Sequence, residues 1–176
     1  MPDPEPREAG PEPTVRRAVL ADLPEIVRLL ADDVLGARRE RYASPLPASY
    51  RAAFEAIDGD PNNELVVVDL GGAVVGVLQL TYVPSITYRG SWRASIEGVR
   101  VDSRLRSTGI GRRLFAWAIE RARARGCRMV QLTSDKSRPD AIRFYESLGF
   151  TSSHEGLKLH LPAAPERSAW TSSASS

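Results

Sequence analysis

The stretch VRVDSRLRSTGIGRRLF, residues 99–115, concentrates residue types that bind anions. Gly109 and Gly111 stand two apart, between an apolar alternation and a run of arginines. If a helix begins near Gly109, its first backbone N–H groups lack intrahelical partners and carry the positive end of the helix dipole. Glycine at 109 and 111 removes side chains that would keep a diphosphate from those donors. Ser107 and Thr108 add hydroxyls, and Arg104, Arg106, Arg112 and Arg113 add charge. A capped surface turn feeding a core helix is the plain alternative. Two other phosphate loops fail on residue identity. The dinucleotide fingerprint G-x-G-x-x-G meets Leu114 at its third glycine, and the Gly-Lys-Ser/Thr of a P-loop meets Gly111-Arg112-Arg113.

Five further positions carry titratable chemistry. Glu97 is the only acid in ASIEGVRV (94–101) and shares strand parity with Val99 and Val101. Gly98 beside it suits a bulge that splays the strands. Tyr145 lies on an apolar helix face with Phe144 and Leu148. Cys127 is the only cysteine, so an internal disulfide and a cysteine-based zinc site are excluded. His154 and His160 lie too far apart for a tight metal pair, and no metal is expected.

These residues need elements to position them. A short strand (TVRRAVL) leads into a helix over 21–36, with Asp22 as cap, Pro24 in the first turn and Gly36 at the stop. A second helix covers ASYRAAFEAI (48–57). The β-branched runs on either side of Gly71-Gly72 predict a hairpin. RASIEGVRV is the next strand. The order then becomes strand, helix, strand, helix, strand. The helix IGRRLFAWAIERARARG aligns Leu114, Ala118 and Ala122. CRMVQLTS is a strand, and RPDAIRFYESLG a helix with Pro139 in its first turn and Gly149 at its end. HEGLKLHL (154–161) closes as a strand. The sum is a mixed α/β domain over 14–161, with antiparallel hairpins first and a βαβ-like half after them. Residues 1–13, with five prolines, and residues 162–176 read as disordered tails.

Arg106-Ser107-Thr108-Gly109-Ile110-Gly111 resembles the R/Q-x-x-G-x-G/A signature of the GNAT superfamily of N-acetyltransferases, and the likeness extends over roughly residues 14–160. A second segment matches in the right order. Ala141, Tyr145, Gly149 and Phe150 fall on the family's N-x-x-A-x-x-x-Y…Gly-Phe frame, with Arg138 in place of its asparagine. The resemblance implies a single-domain fold whose central, mostly antiparallel mixed sheet is flanked by about four helices and splayed at its centre. It implies that Arg106 to Arg112 cradle the diphosphate of acetyl-coenzyme A. Val99, Arg100 and Val101 would hold the pantetheine arm by their backbone, with Arg138 as a further contact.

Direct acetyl transfer to an amine needs a deprotonated amine, a stabilised oxyanion and a protonated thiolate. By resemblance Tyr145 is the general acid for the thiolate and Glu97 the base for the amine. A core tyrosine and an ordinary charge on a solvated strand face are the alternatives. Cys127 has no required role.

The expected function is N-acetylation of a primary amine on a small molecule. Protein lysine or N-terminal acetylation, and a non-catalytic acyl-coenzyme A sensor, are the rivals. Loops carrying Arg41, Tyr42, Tyr82, Tyr88, Arg89, Trp92 and Arg93 would wall the acceptor site and suit an acceptor that also bears an anionic group. The segment from Lys136 to Leu159 also resembles aminoalkylphosphonate acetyltransferases. The arginine run 121–128 lacks interleaved aromatics, so a solvated helix face is expected there rather than nucleic-acid binding. Neither a spanning run nor a signal peptide is legible, so no membrane partner and a cytoplasmic location are expected. A homodimer is left open.

Overall fold

The computed structural model describes residues 10–161. Most of both expected tails therefore lies outside the described residues. Five strands form one sheet in chain order: β1 (Thr14–Arg17), β2 (Asn63–Leu70), β3 (Ala73–Pro84), β4 (Trp92–Val101) and β5 (Cys127–Leu132). The first three pairings are antiparallel and β4–β5 is parallel. Gly71 and Gly72 both have positive φ, which is the demand of a tight I′ hairpin between β2 and β3.

Alternation along the strands sends side chains into two layers. Val67, Val74 and Val77 face α1 (Leu23–Ala31) and α3 (Ala48–Gly59), meeting Ile26, Val27, Leu29 and Phe54. Val66, Val68, Leu78, Leu80 and Ile96 face α5 (Ile110–Ala124), meeting Leu114, Phe115 and Ala118. Each fully buried leucine or phenylalanine here contributes about 1.5–3 kcal/mol. α6 (Pro139–Glu146) packs on this second cluster through Phe144 and Tyr145.

The helix expected over 21–36 breaks in two. α1 ends at Ala31, and α2 (Val34–Arg39) starts after Asp33, which is extended and accepts the Gly36 N–H at 2.6 Å. Gly36 therefore lies inside α2 rather than at a stop. A Cβ there would sit 2.0 Å from the Leu30 carbonyl oxygen, so α2 folds back on α1 only because residue 36 is glycine. Asp22 stands at the N-cap of α1 but makes no side-chain cap bond there; its carboxylate accepts from the Val19 N–H, at the start of the 3-10 turn Leu20–Asp22, and from Arg16. With a single turn α4 (Thr87–Gly90), the described residues hold six α-helical segments instead of about four. Residues 154–161 do not close the sheet as a strand. They run outside it, with Leu157, Leu159 and Leu161 exposed.

The β4–β5 pairing ends at Ile96–Leu132, while β4 continues to Val101. From Glu97 onward that edge of β4 has no strand beside it among the described residues. On the other edge, Val77 pairs Arg100 but Gln79 pairs Glu97, so Gly98 and Val99 both oppose Leu78. This is a bulge, and Gly98 carries it with φ +62°. The bulge overturns the shared parity of Glu97 with Val99 and Val101. Glu97 and Arg100 face the α1 side of the sheet, whereas Val99 and Val101 pack with the α5 cluster.

Candidate active site

The loop between β4 and α5 is built on a buried carboxylate. Asp102 is 1% exposed and accepts from Arg104 Nη2 at 2.8 Å, Arg104 Nε at 2.9 Å, the Arg104 N–H at 3.0 Å and Arg28 Nη2 at 3.1 Å. The Arg104 hydrogen bonds, then Arg28, hold its carboxyl well below the usual carboxylate range against the desolvation that opposes them. Arg104 is thus a strut of the loop and not a free cation. Arg112 donates to Ser147 Oγ at 3.0 Å, and Arg113 to the Pro13 carbonyl at 2.7 Å. Among the described residues Arg106 has no such partner.

Thr108 Oγ1 donates to the Leu105 carbonyl at 2.6 Å, so its hydroxyl closes the turn. Ser107 and Gly109 both have positive φ. The first intrahelical bond of α5 runs from Arg113 N–H to the Gly109 carbonyl at 3.0 Å. The N–H groups of Ile110, Gly111 and Arg112 precede it and have no intrahelical acceptor. Ile110 anchors the turn by burying its side chain. The two glycines differ in role. Gly109 has φ +93° and open space where a Cβ would be. A Cβ on Gly111 would meet the Phe144 ring at 3.3 Å, so its bareness lets α6 approach α5.

Beside this loop lies the gap between β4 and β5. The Asp102 N–H bonds the Val75 carbonyl at 2.9 Å, and the antiparallel alternation then keeps the Arg100 backbone with β3 and turns that of Val101 outward. The Val99 carbonyl accepts from Arg100 Nη1 at 2.8 Å. The Arg100 side chain is 13% exposed and its Nε has no hydrogen-bond partner, although Asp33 Oδ2 is 3.5 Å away. The same oxygen is 3.8 Å from Arg138 Nη2, at the N-cap of α6. Against desolvation, the Gly36 N–H and the guanidinium groups of Arg100, Arg138 and Arg39 hold the Asp33 carboxyl below its ordinary value.

Tyr145 stands on α6 with its ring 5.4 Å from Phe115. Burial pushes its hydroxyl up, and Arg138 and Arg100 pull it back. Its apolar surroundings, the rings of Phe115, Phe144 and Phe150, fit the core-residue alternative. Glu97 is exposed on the other face of β4, next to Gln79. Arg93, Ser95 and Glu97 follow one another along that face. Gln79 and Thr81, their β3 neighbours, bond Asn63 Oδ1 at 3.2 and 2.6 Å.

At the start of β4 this polar strip meets a cavity of about 200 Å³, lined by Tyr88, Trp92, Arg93, Arg128 and Met129 among others. Neither Arg93 nor Arg128 has a carboxylate partner among the described residues, and Arg93 Nε is buried without a hydrogen bond. Tyr82, expected in this wall, is instead core, with its hydroxyl donating to Glu64 at 2.6 Å. Arg121 pairs with Glu64, and Arg125 covers the Tyr82 and Trp92 rings, so these arginines clamp α5 to the sheet. Cys127 opens β5 half-buried, with its thiol pushed up by burial. Asp33 escaped the sequence reading; its only mark there is the Asp33-x-x-Gly36 spacing of an N-cap.

Among the described residues no helix is long and apolar enough to cross a membrane. The chain is 33% identical over 106 residues to the aminoalkylphosphonate N-acetyltransferase of Salmonella typhimurium, covering 60% of this chain and 68% of that protein. It is 37% identical over 91 residues to the glucosamine 6-phosphate N-acetyltransferase of Trypanosoma brucei brucei, covering 51% of this chain and 59% of that one. A solved structure described as a transcriptional regulator from Bacillus halodurans superposes with TM-score 0.84 at 59% identity, covering 85% of this chain and all of that one. The profile of the acetyltransferase (GNAT) family matches residues 31–150, and with the splayed β4–β5 sheet and the open helix start at Gly109, the chain belongs to that family.

Proposed function

We propose that the protein transfers the acetyl group of acetyl-coenzyme A to the primary amine of a small molecule that also carries an anionic group, a phosphate or phosphonate. One observation carries the acceptor class: Arg93 and Arg128, two cations without carboxylate partners, line a cavity joined to Glu97 by a polar strip. Arg93 and Glu97 are four steps apart along the extended strand, about 13 Å between Cα atoms. An arginine side chain reaching along the strand leaves room for a short amino acid-like or aminosugar acceptor between them. The relatives named for aminoalkylphosphonate and glucosamine 6-phosphate support an anionic amine.

In this reading the residues fit the coenzyme as follows. The N–H groups of Ile110, Gly111 and Arg112, with Arg106, receive the diphosphate. Ser107, Thr108 and Gly109 shape the turn, and the free edge of Val99 and Val101 receives the pantetheine arm. Glu97, directly or through water, takes the proton of the incoming ammonium. The amine nitrogen then bonds the acetyl carbon, the carbon–sulfur bond breaks with its electron pair on sulfur, and the amide nitrogen releases its second proton to solvent. Tyr145 donates its proton to that sulfur and recovers one from solvent.

A panel of amines followed by thiol release tests this. Aminoalkylphosphonates and aminosugar phosphates should exceed their neutral analogues in kcat/KM by tenfold or more, since a charged hydrogen bond contributes about 1.5–3 kcal/mol. Arg93→Leu should erase that preference. Faster turnover of lysine peptides would favour a protein acceptor. The regulator description of the 59% identical relative favours a second reading, a non-catalytic acyl-coenzyme A sensor. Coenzyme binding without turnover on any amine would select it.

A further inference from the structure

Gln79 lies directly opposite Glu97 across the β3–β4 ladder, at the level where β5 leaves β4. Residues paired in this way project to one face, with Cβ atoms about 4.5–5.5 Å apart. A chain of hydrogen bonds fixes how the Gln79 amide is turned. Asp60, at the C-cap of α3, accepts the Asn62 N–H at 2.8 Å through Oδ1 and Asn63 Nδ2 at 2.7 Å through Oδ2. A carboxylate only accepts, so the Asn63 amide turns its nitrogen to Asp60 and its oxygen to β3. Asn63 Oδ1 then receives Thr81 Oγ1 at 2.6 Å and Gln79 Nε2 at 3.2 Å. The Gln79 nitrogen is committed to that bond, and its Oε1 is left over. The neighbours of Gln79 on this face are Leu65, Val77, Thr81 and Glu97. The first two are apolar, the Thr81 hydroxyl is already given to Asn63, and Glu97 only accepts. Among the described residues nothing donates to Gln79 Oε1, and it is not a buried orphan, as Arg93 Nε and Arg100 Nε are.

A carbonyl and a carboxylate side by side, neither with a donor of its own, fit a group that brings at least two N–H bonds. The geometry points to Gln79 as the second acceptor for the incoming amine: its Oε1 takes one N–H beside Glu97 and selects primary amines, with Asn63 and Asp60 as the residues that position it. This rests on the acetyl-transfer reading above. Once Glu97, directly or through water, has taken one proton from the ammonium, a primary amine keeps two N–H bonds. One is held by Gln79 Oε1 and the other by the Glu97 carboxyl, which leaves the nitrogen lone pair to face the acetyl carbon in the gap. A secondary amine keeps a single N–H at that stage and loses one of the two bonds. The amide carbonyl of Gln79 is neutral, so it orients the nitrogen without competing with Glu97 for the proton. Without Asn63 the Gln79 amide is free to turn its nitrogen toward the amine, where a donor would meet a donor.

Two probes of equal length separate ammonium recognition from the rest of the site. The first is 2-aminoethylphosphonate, and the second is propylphosphonate, in which a methyl group replaces the ammonium. Each is titrated calorimetrically into the protein with coenzyme A present. Wild type should bind the amine tenfold or more tightly than propylphosphonate. Gln79→Met keeps the straight stem and removes the carbonyl; it should weaken the amine about tenfold and leave propylphosphonate within about twofold. Asn63→Ala should act in the same direction, raising the KM for the amine and leaving that for acetyl-coenzyme A in place, a split that a general loss of structure would not give. In turnover, wild type should favour 2-aminoethylphosphonate over its N-methyl derivative in kcat/KM by about tenfold or more, and Gln79→Met should narrow that ratio. Wild type that does not distinguish the two probes, or a folded Gln79→Met that distinguishes them as wild type does, overturns the assignment. The binding arm needs no turnover. Ammonium recognition lost in Gln79→Met, with no amine acetylated, would sink the acetyl-transfer reading and leave Gln79 as an ammonium acceptor; acetylation that Gln79→Met leaves unchanged would do the reverse.

Discussion

Gly109 offers the sharpest separation of backbone geometry from ligand contact. Its φ is +93°, and nothing lies within 4 Å of where a Cβ would be. Gly109→Ala therefore meets no clash and carries only the left-handed backbone cost, about 1–2 kcal/mol. For a chain of this size that lowers the melting temperature by roughly 2–8 °C. The added methyl also stands at the mouth of the α5 donors, so coenzyme affinity should fall tenfold or more, about 1.4 kcal/mol from an expected micromolar value near −8 kcal/mol. Gly111→Ala should behave differently. Its Cβ meets the Phe144 ring at 3.3 Å, so α6 must give by a few tenths of an ångström, while the helix gains about 1 kcal/mol of propensity. Its stability should stay within about 1 kcal/mol of wild type. Calorimetric titration with acetyl-coenzyme A, paired with thermal unfolding, reads both quantities. Wild-type affinity in a folded Gly109→Ala protein would remove this turn from the coenzyme site.

Tyr145→Phe keeps the aromatic packing on Phe115 and deletes the proton donor; turnover should fall about 10²-fold at unchanged coenzyme affinity, measured by initial rates and calorimetry. Glu97→Gln should lower turnover about 10²-fold and erase the acidic limb of the pH–rate profile, compared on one acceptor. Asp102→Asn should destabilise the fold by about 1.5–3 kcal/mol in denaturant titration. Because the folded Asp102 carboxyl is held low, its contribution is complete above the ordinary carboxylate range and drains as pH falls toward the folded value, so the gap between wild type and Asp102→Asn should close on acidification. Gly36→Ala should cost about 1–3 kcal/mol or more, because its Cβ would strike the Leu30 carbonyl at 2.0 Å.

Local chemistry made part of this architecture legible. The Gly71-Gly72 turn between β-branched runs, the apolar line of α5, and the Arg106–Gly111 motif ahead of it all rest on short-range rules, and each stands where those rules put it. What escaped depends on contacts between distant residues. The run 21–36 looks like one helix because its apolar period hardly changes across Asp32-Asp33; the break comes from the Asp33 cap and the tight return over Leu30. Gly98 was legible as a bulge, yet a bulge at Gly98 also reverses parity beyond it, which removes Glu97 from the face of Val99 and Val101. The arginines of the loop are chemically alike in sequence, and only the fold reveals that Arg104 serves Asp102 while Arg106 stays uncommitted. The period-two leucines of 157–161 read as a strand, but the sheet gives them no neighbour.

Acetyl transfer from acetyl-coenzyme A to an anionic amine at the β4–β5 gap is the proposed reaction. Its most direct test incubates the protein with acetyl-coenzyme A and an aminoalkylphosphonate, and quantifies the N-acetylated product by mass spectrometry beside the thiol released. The two should appear in equal amounts, with both rates falling together in Tyr145→Phe. Thiol release without N-acetylated product, or product formed at the same rate by Tyr145→Phe, would contradict it.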